Sequence, residues 1–248
     1  MDPLIATAAS GMRSRMQTLD LLANNIANTS TSGYKADQES YNLYFGDDAW
    51  DAFNEGRPPT NEMPVVERNW TDLSQGTLLE TANSYDVALA SAGFFVVTTS
   101  GGQLFTRNGH FRVSKSGRLE THDGFAVQSK SGTEIVVDPA LPVRVTKNGD
   151  IQQAGNTIAQ FKVVSINQSD GLTKHSGAYF QLTPAAKATD MSDPEIQQGR
   201  LESSNVPPAQ AAVKLVSVMR QFEMLQKAVL LASQMNERTF SEVAKLPS

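Results

Sequence analysis

Apolar residues recur on a helical period at both ends of this chain, around a middle punctuated in a different way, and that arrangement constrains the fold more than any other feature. Over the first 28 residues Ile5, Met12, Leu19 and Ile26 fall at intervals of seven, with Ala9, Met16 and Ala23 four residues after the first three. This spacing lays one stripe along a helix, and Arg13, Gln17, Asp20 and Asn24 fall off it. The segment closes on Asn28-Thr29-Ser30-Thr31-Ser32-Gly33, turn formers followed by a glycine able to take positive φ. At the other end Leu215, Val218, Phe222, Leu225, Val229, Ala232, Asn236, Thr239 and Val243 follow alternating steps of three and four, a heptad seam. Pro207-Pro208 suits the first turn of that helix, where no intrahelical amide is needed, and Asn205 or Ser204 is its expected cap. A helix from 207 to about 245 would extend about 57 Å at about 1.5 Å per residue.

The middle has strand punctuation. Between 93 and 183, glycines at 101, 109, 117, 124 and 132 fall every seven or eight residues, most after Ser, Asn or Asp, which is hairpin spacing. Apolar and β-branched clusters lie between them, among them Phe94 to Val97, Ile135 to Val137 and Phe161 to Ile166, and Asn148-Gly149 and Asp170-Gly171 supply further turns. The stretch from Asp47 to Pro64 is acidic and rich in turn formers, and reads as a loop or connector.

An α+β chain follows, with N- and C-terminal helices pairing as a coiled coil around a central antiparallel β-rich domain. The expected divisions are 1–33 for the N-terminal helix, 34–75 for a connector, 76–195 for the β-rich domain and 196–248 for the C-terminal helix. A lone amphipathic helix of this size is marginal in water, so each needs its partner or a neighbouring chain.

Composition narrows the function. A chain of 248 residues that is 40% hydrophobic can bury a real core, and a net charge of -5 favours neither nucleic acid nor an anionic membrane as partner. With no cysteine there are no disulfides or thiolate metal sites. The start, Met1-Asp2-Pro3-Leu4-Ile5-Ala6, lacks the basic and apolar regions of a signal peptide, and no apolar run is long enough for a membrane span. The expected location is cytoplasmic unless a pathway without a cleaved signal exports the chain.

Catalytic constellations are not apparent. His110, His122 and His175 are scattered without metal-ligand spacing, and no nucleophile elbow, P-loop or G-x-G-x-x-G run occurs. Asp47-Asp48 is an acidic pair of the kind glycoside hydrolysis requires, but isolated carboxylates are common. Phe105-Thr106-Arg107 and Phe111-Arg112 mix aromatic and basic residues as a single-strand stacking platform would, although alternation along a strand accounts for them better. No catalytic residue, metal or cofactor is assigned.

The run from Leu22 to Lys35, ending Ser32-Gly33-Tyr34-Lys35, resembles the N-terminal signature of the flagellar rod and hook proteins. Further blocks agree in order: Gln75-Gly76-Thr77-Leu78 through Asp86-Val87-Ala88 to Gly93-Phe94-Phe95-Val96-Val97; Phe105 to Phe111, continuing to Gly117-Arg118-Leu119; and Gly199 to Val206. The run Arg220 to Met224, with Asn236-Glu237-Arg238 beyond, is more similar to the proximal-rod type than to the distal one. Two departures bear on tight local turns: the family's usual Thr-Gly-Asn is here Thr81-Ala82-Asn83, and its Gly-x-Gly is Ser91-Ala92-Gly93.

The resemblance implies a non-enzymatic subunit of the basal-body rod, exported by the flagellar type III apparatus without a cleaved signal and assembled in the periplasm with its own copies and axial neighbours. Its terminal helices would form the inner tube of a hollow drive shaft and its β domain the outer layer. The expected assembly interface is Ile5, Met12, Leu19 and Ile26 with Leu215, Phe222, Leu225 and Val229. Asn24, Asn25 and Asn28 are expected either to bond backbone at the helix end or to be solvated turn residues. Two alternatives remain at this point: a distal-rod or hook-type axial subunit, and a periplasmic carbohydrate-binding or wall-cutting protein.

Overall fold

The computed structural model describes residues 3–45, 62–166, 171–184 and 186–243, with side chains described over 7–40, 69–166, 171–184 and 186–235. Asp47 and Asp48 lie outside these residues, as do the side chains of Ile5, Asn236, Thr239 and Val243.

Two long helices occupy the chain ends, α1 over Pro3–Ala27 and α2 over Pro208–Val243. Each opens on a proline, which fixes φ and loses no intrahelical bond in the first turn. The chain divides into two compact units, the first holding 1–26, 37–70 and 208–248, the second 27–36 and 71–207.

The first unit contains both helices and two paired strands, Asp37–Phe45 and Glu62–Thr71. These strands fall in the stretch read from sequence as a connector, and Glu62-Met63-Pro64 at the end of the expected loop opens the second of them. On α2 the inward face follows the heptad seam: Ala211 and Val218 are buried, and Leu215, Phe222, Leu225 and Val229 half-buried. On α1 the most enclosed positions are Ala8, Gly11, Ser14, Thr18, Leu22 and Asn25, one residue out of phase with much of the expected stripe. Met12, Leu19 and Ile26 border this face, while Ala9 and Ala23 are exposed and Met16 is 54% exposed. Small side chains explain the rotation, because they admit a close neighbour where methionine would hold it off. A methyl group placed on Gly11 would lie 3.5 Å from Cδ1 of Leu225.

In the second unit nine strands join one antiparallel sheet built around Phe94–Thr99. That strand pairs with Gly102–Thr106 on one edge, and with Ala126–Val127 and Val163–Ile166 on the other. It is buried on both faces. Phe95 and Val97 enter the larger apolar cluster with Phe111, Ile135, Ile151 and Phe161, whereas Phe94 and Val96 enter a second with Phe105, Val164 and Phe180. Edge-on ring contacts knit both clusters, Phe95 with Phe111 at 5.4 Å and Phe94 with Phe180 at 5.6 Å between centroids. The unit also holds a three-stranded antiparallel sheet of Arg144–Val145, Asp150–Gln153 and Asn156–Gln160, and two smaller antiparallel pairs, Val87–Leu89 with Ile196–Gln198 and Leu78–Glu80 with Arg200–Glu202.

The turn glycines act for two different physical reasons. Gly117, Gly124, Gly132 and Gly149 have φ between 80° and 85°, as tight turns between strands require. Gly109 marks no such turn: a Cβ there would stand 1.7 Å from the carbonyl oxygen of Val87, so it is a point of backbone contact.

Candidate functional site

Residues from four of the blocks that carry the family resemblance, Gly33 to Lys35, Gly76, Arg107 and Glu202 to Asn205, meet at one place in the second unit. Gly33 turns the chain with φ 68°, and a Cβ there would fall 2.3 Å from the amide nitrogen of Asn108. Only glycine admits both that conformation and that approach. The Gly33 amide donates to the Glu202 carbonyl at 2.7 Å, which feeds Tyr34 and Lys35 into the interior, where neither has measurable exposure.

Lys35 Nζ donates to Glu202 Oε1 at 2.5 Å and to the carbonyl of Ser74 at 2.6 Å. Glu202 Oε1 also accepts the Gly76 amide at 2.9 Å, and Oε2 faces Arg107 Nη1 at 3.4 Å. Gly76 is fixed as glycine by Ser203, whose carbonyl oxygen would be 2.0 Å from an added Cβ. Arg107 is itself buried and lies 5.4 Å over the ring of Phe94. One carboxylate thus answers two cations, all three withdrawn from water. Burial is the largest influence on both cations and pulls the Lys35 ammonium and the Arg107 guanidinium below their ordinary ranges, against the attraction of Glu202.

Asn205 extends the network. Its Oδ1 accepts the Ala36 amide at 2.7 Å and its Nδ2 donates to the Asp72 carbonyl at 2.8 Å. Asn205 or Ser204 is the helix cap expected from sequence, and that reading is corrected: the helix begins at Pro208, the Asn205 carboxamide is spent on two other segments, and Ser204 Oγ accepts the nearby Val206 amide at 3.3 Å. Lys174 covers Tyr34 from outside, with Nζ 3.9 Å from the ring centroid and 2.7 Å from the Lys35 carbonyl oxygen. In the first unit Asn25 does bond backbone, exchanging two hydrogen bonds with Asp37 at 2.8 and 3.0 Å across the loop that carries Gly33 to Ala36.

The arrangement binds three separate segments to one another by ion pairs and hydrogen bonds. The segments it ties, 33–36, 72–76 and 202–205, adjoin three of the places where the chain passes between its units, after 36, before 71 and before 208. His175 is exposed on its strand, and among the described residues no group of three His, Cys, Asp or Glu side chains is placed to hold a metal. Of the residues expected from sequence to form an interface, Met12, Leu19 and Ile26 border the inward face of α1, and Leu215, Phe222, Leu225 and Val229 lie on that of α2.

Three family models match the chain: flagella basal body rod protein over residues 5–35, flagellar hook protein FlgE/F/G D1 domain over 88–159, and flagellar basal body rod FlgEFG protein C-terminal over 197–241. The flagellar basal-body rod protein FlgF of Caulobacter vibrioides is 29% identical over 248 residues, covering 99% of this chain and 100% of that protein. FlgF of Rhizobium meliloti is 29% identical over 87% of each chain, and the rod protein FlgG of Agrobacterium fabrum 29% identical over 93% of this chain and 95% of its own. With helices at both chain ends and a β-rich unit between them, these similarities support a structural rod subunit. Along nearly its whole length the chain is similar to the flagellar rod and hook axial proteins, and this similarity supports a protein of the proximal-rod type.

Proposed function

We propose that this chain polymerises into the hollow drive shaft of the flagellar basal body, as a subunit that transmits torque and catalyses nothing. The observation that carries the reading is the outward surface of α2, where Val213 is 71%, Leu230 62%, Leu231 60% and Met235 69% exposed. Large apolar side chains repeated along an exposed helix mark a surface meant to be covered. α1 and α2 pair in coiled-coil fashion within the subunit, a reading supported by Leu225 against Gly11. Ile5, Met12, Leu19, Ile26, Leu215, Phe222, Leu225 and Val229 serve that seam and its contacts with neighbours.

The partners are further copies of this chain, axial neighbours and the flagellar export apparatus, with no nucleic acid or small-molecule substrate. The working location is the periplasmic rod, reached without a cleaved signal peptide. Contacts between subunits are heterologous and follow a helix, so they do not close into a ring, and load is shared among many interfaces. Within each subunit, force between helices and β unit travels along the covalent segments that the Lys35–Glu202 clamp holds.

Leu231→Asp tests the proposal, because the side chain is exposed and the change leaves the subunit's interior intact. Cells carrying it should lack flagella while the purified chain keeps the wild-type circular dichroism. Normal motility would overturn the reading.

A further inference from the structure

His110 and His122, twelve positions apart in sequence, stand side by side in the second unit with ring centroids 5.7 Å apart and planes at 42°. Behind His110 lies Asp86, a buried carboxylate whose Oδ1 is 2.8 Å from Nδ1 of the ring. A carboxylate at this nitrogen favours the tautomer with its proton on Nδ1, which in the neutral ring leaves the Nε2 lone pair for a ligand. Asn83 Nδ2 donates to the same Asp86 oxygen at 3.1 Å, which holds the carboxylate in place. The His110 side chain remains 45% exposed and His122 is exposed, so both rings are open to solvent.

We propose that His110 and His122 form a two-imidazole site for a late first-row divalent cation, with Asp86 orienting His110 from behind. Two imidazoles sharing one ion, each nitrogen about 2.0 Å from it, have centroids about 5 to 6 Å apart, the separation found here. A carboxylate on the far nitrogen is the usual support for a metal-bound histidine, fixing its tautomer and raising its basicity.

The backbone under each ring is pinned. The His110 amide donates to Asn108 Oδ1 at 3.0 Å, and residue 110 bridges to Asp86. His122 occupies a turn closed by the Gly124 amide on the Thr121 carbonyl at 3.0 Å, and the neighbouring Asp123 accepts the Tyr179 hydroxyl at 2.6 Å. The pair therefore needs little reorganisation to bind. Imidazole ligands select zinc, nickel and copper over magnesium and calcium, and affinity should run highest for copper. With only two side chains contributed, water fills the remaining positions. No assembly contact enters this argument, so it stands apart from the rod reading.

The test is titration of the untagged full-length protein with copper, nickel and zinc chlorides in a non-coordinating buffer near neutral pH. Calorimetry gives stoichiometry, and the electron paramagnetic resonance of the copper form counts nitrogen ligands. The expected result is one ion per chain with two equatorial imidazole nitrogens. His122→Asn should weaken binding about tenfold or more, His175→Asn should leave it unchanged, and Asp86→Asn should weaken it about 10–100-fold. Should Asp86→Asn fail to fold, the exposed His122→Asn still decides the matter. Absence of binding by the wild type, or binding that His122→Asn leaves unchanged, would overturn the site.

Discussion

Lys35 and Glu202, 167 positions apart, meet at 2.5 Å with no exposed side-chain surface on either. The pair joins the start of the chain to its last strand, and Arg107 shares the same carboxylate. A buried charge left without its partner costs about 3–5 kcal/mol, far more than an exposed pair contributes. Glu202→Gln strands two cations and should lower the stability of the β unit by about that amount or more. Lys35→Met leaves Glu202 with Arg107 and should cost clearly less. Urea denaturation of the two variants checks the order, and equal losses would show that Arg107 does not share the load.

Truncation tests the same clamp from the chain's end. Deleting residues 1–26 removes α1 and spares Gly33, Tyr34 and Lys35; deleting 1–36 removes them. The first deletion should leave the melting of the β unit close to wild type, while the second should lower it by roughly ten degrees, on the scale of about 2–4 °C per kcal/mol lost in a domain of this size. Differential scanning calorimetry distinguishes the two. An equal drop in both would move the critical contacts into α1.

Two alanines hold conformations that suit glycine. Ala82 has φ 58° and stands where the family usually has glycine, and Ala154 has φ 49° beside Gly155 at 82° in a two-residue hairpin turn. A left-handed conformation costs a residue with a Cβ about 1–2 kcal/mol. Ala82→Gly should therefore stabilise by about 1 kcal/mol, and Ala154→Asn by somewhat less, each read as a rise in the thermal midpoint. A fall at Ala82 would mean that its methyl group contributes packing worth more than the strain.

Tyr179 gives the β unit an alkaline limit. Burial first, and then the hydrogen bond to Asp123, holds the phenol well above its ordinary value of about 10. Below pH about 10 both folded and unfolded chains keep the proton and the contribution is complete. Above it the unfolded chain releases the proton first, so stability falls as pH rises. Tyr179→Phe should cost about 1 kcal/mol near neutrality for the lost hydrogen bond. Its stability curve should then converge on the wild type above pH 10, whereas curves that stay parallel would refute the linkage. Lys35, with its lowered range, contributes a slope of opposite sign in both proteins and cancels from the comparison.

Much of this architecture is legible in the sequence because helical and strand periods differ so plainly. The 3-4 spacing after Pro208 locates both α2 and its inward face, since Leu215, Phe222 and Leu225 are large enough to mark the seam unaided. The face of α1 was less legible: Gly11, Ser14 and Thr18 carry no apolar signal, yet they pack most closely. Strand Asp37–Phe45 hid behind Asp37-Gln38-Glu39-Ser40, whose polarity suggests a connector. Gly109 shares the spacing of the turn glycines, and nothing local separates a glycine that turns from one that lets two backbones touch. Lys35 lies inside the block that carries the family resemblance, but its burial depends on residues 74, 107 and 202, and no local period encodes a partner that distant. Of the asparagines at the end of α1, Asn25 declares its role only once Asp37 lies opposite it.

The ionic clamp also fixes an order of events. A chain that emerges N-terminus first presents Gly33, Tyr34 and Lys35 early, and they wait for Glu202, 167 positions after Lys35, and for Asn205 just beyond it. Until then Lys35 lacks its carboxylate and Arg107 its counterion, and Leu78–Glu80 lacks the strand that pairs with it. Completion of the clamp is therefore a long-range event: a chain that stops short of Glu202 lacks the carboxylate that Lys35 and Arg107 share.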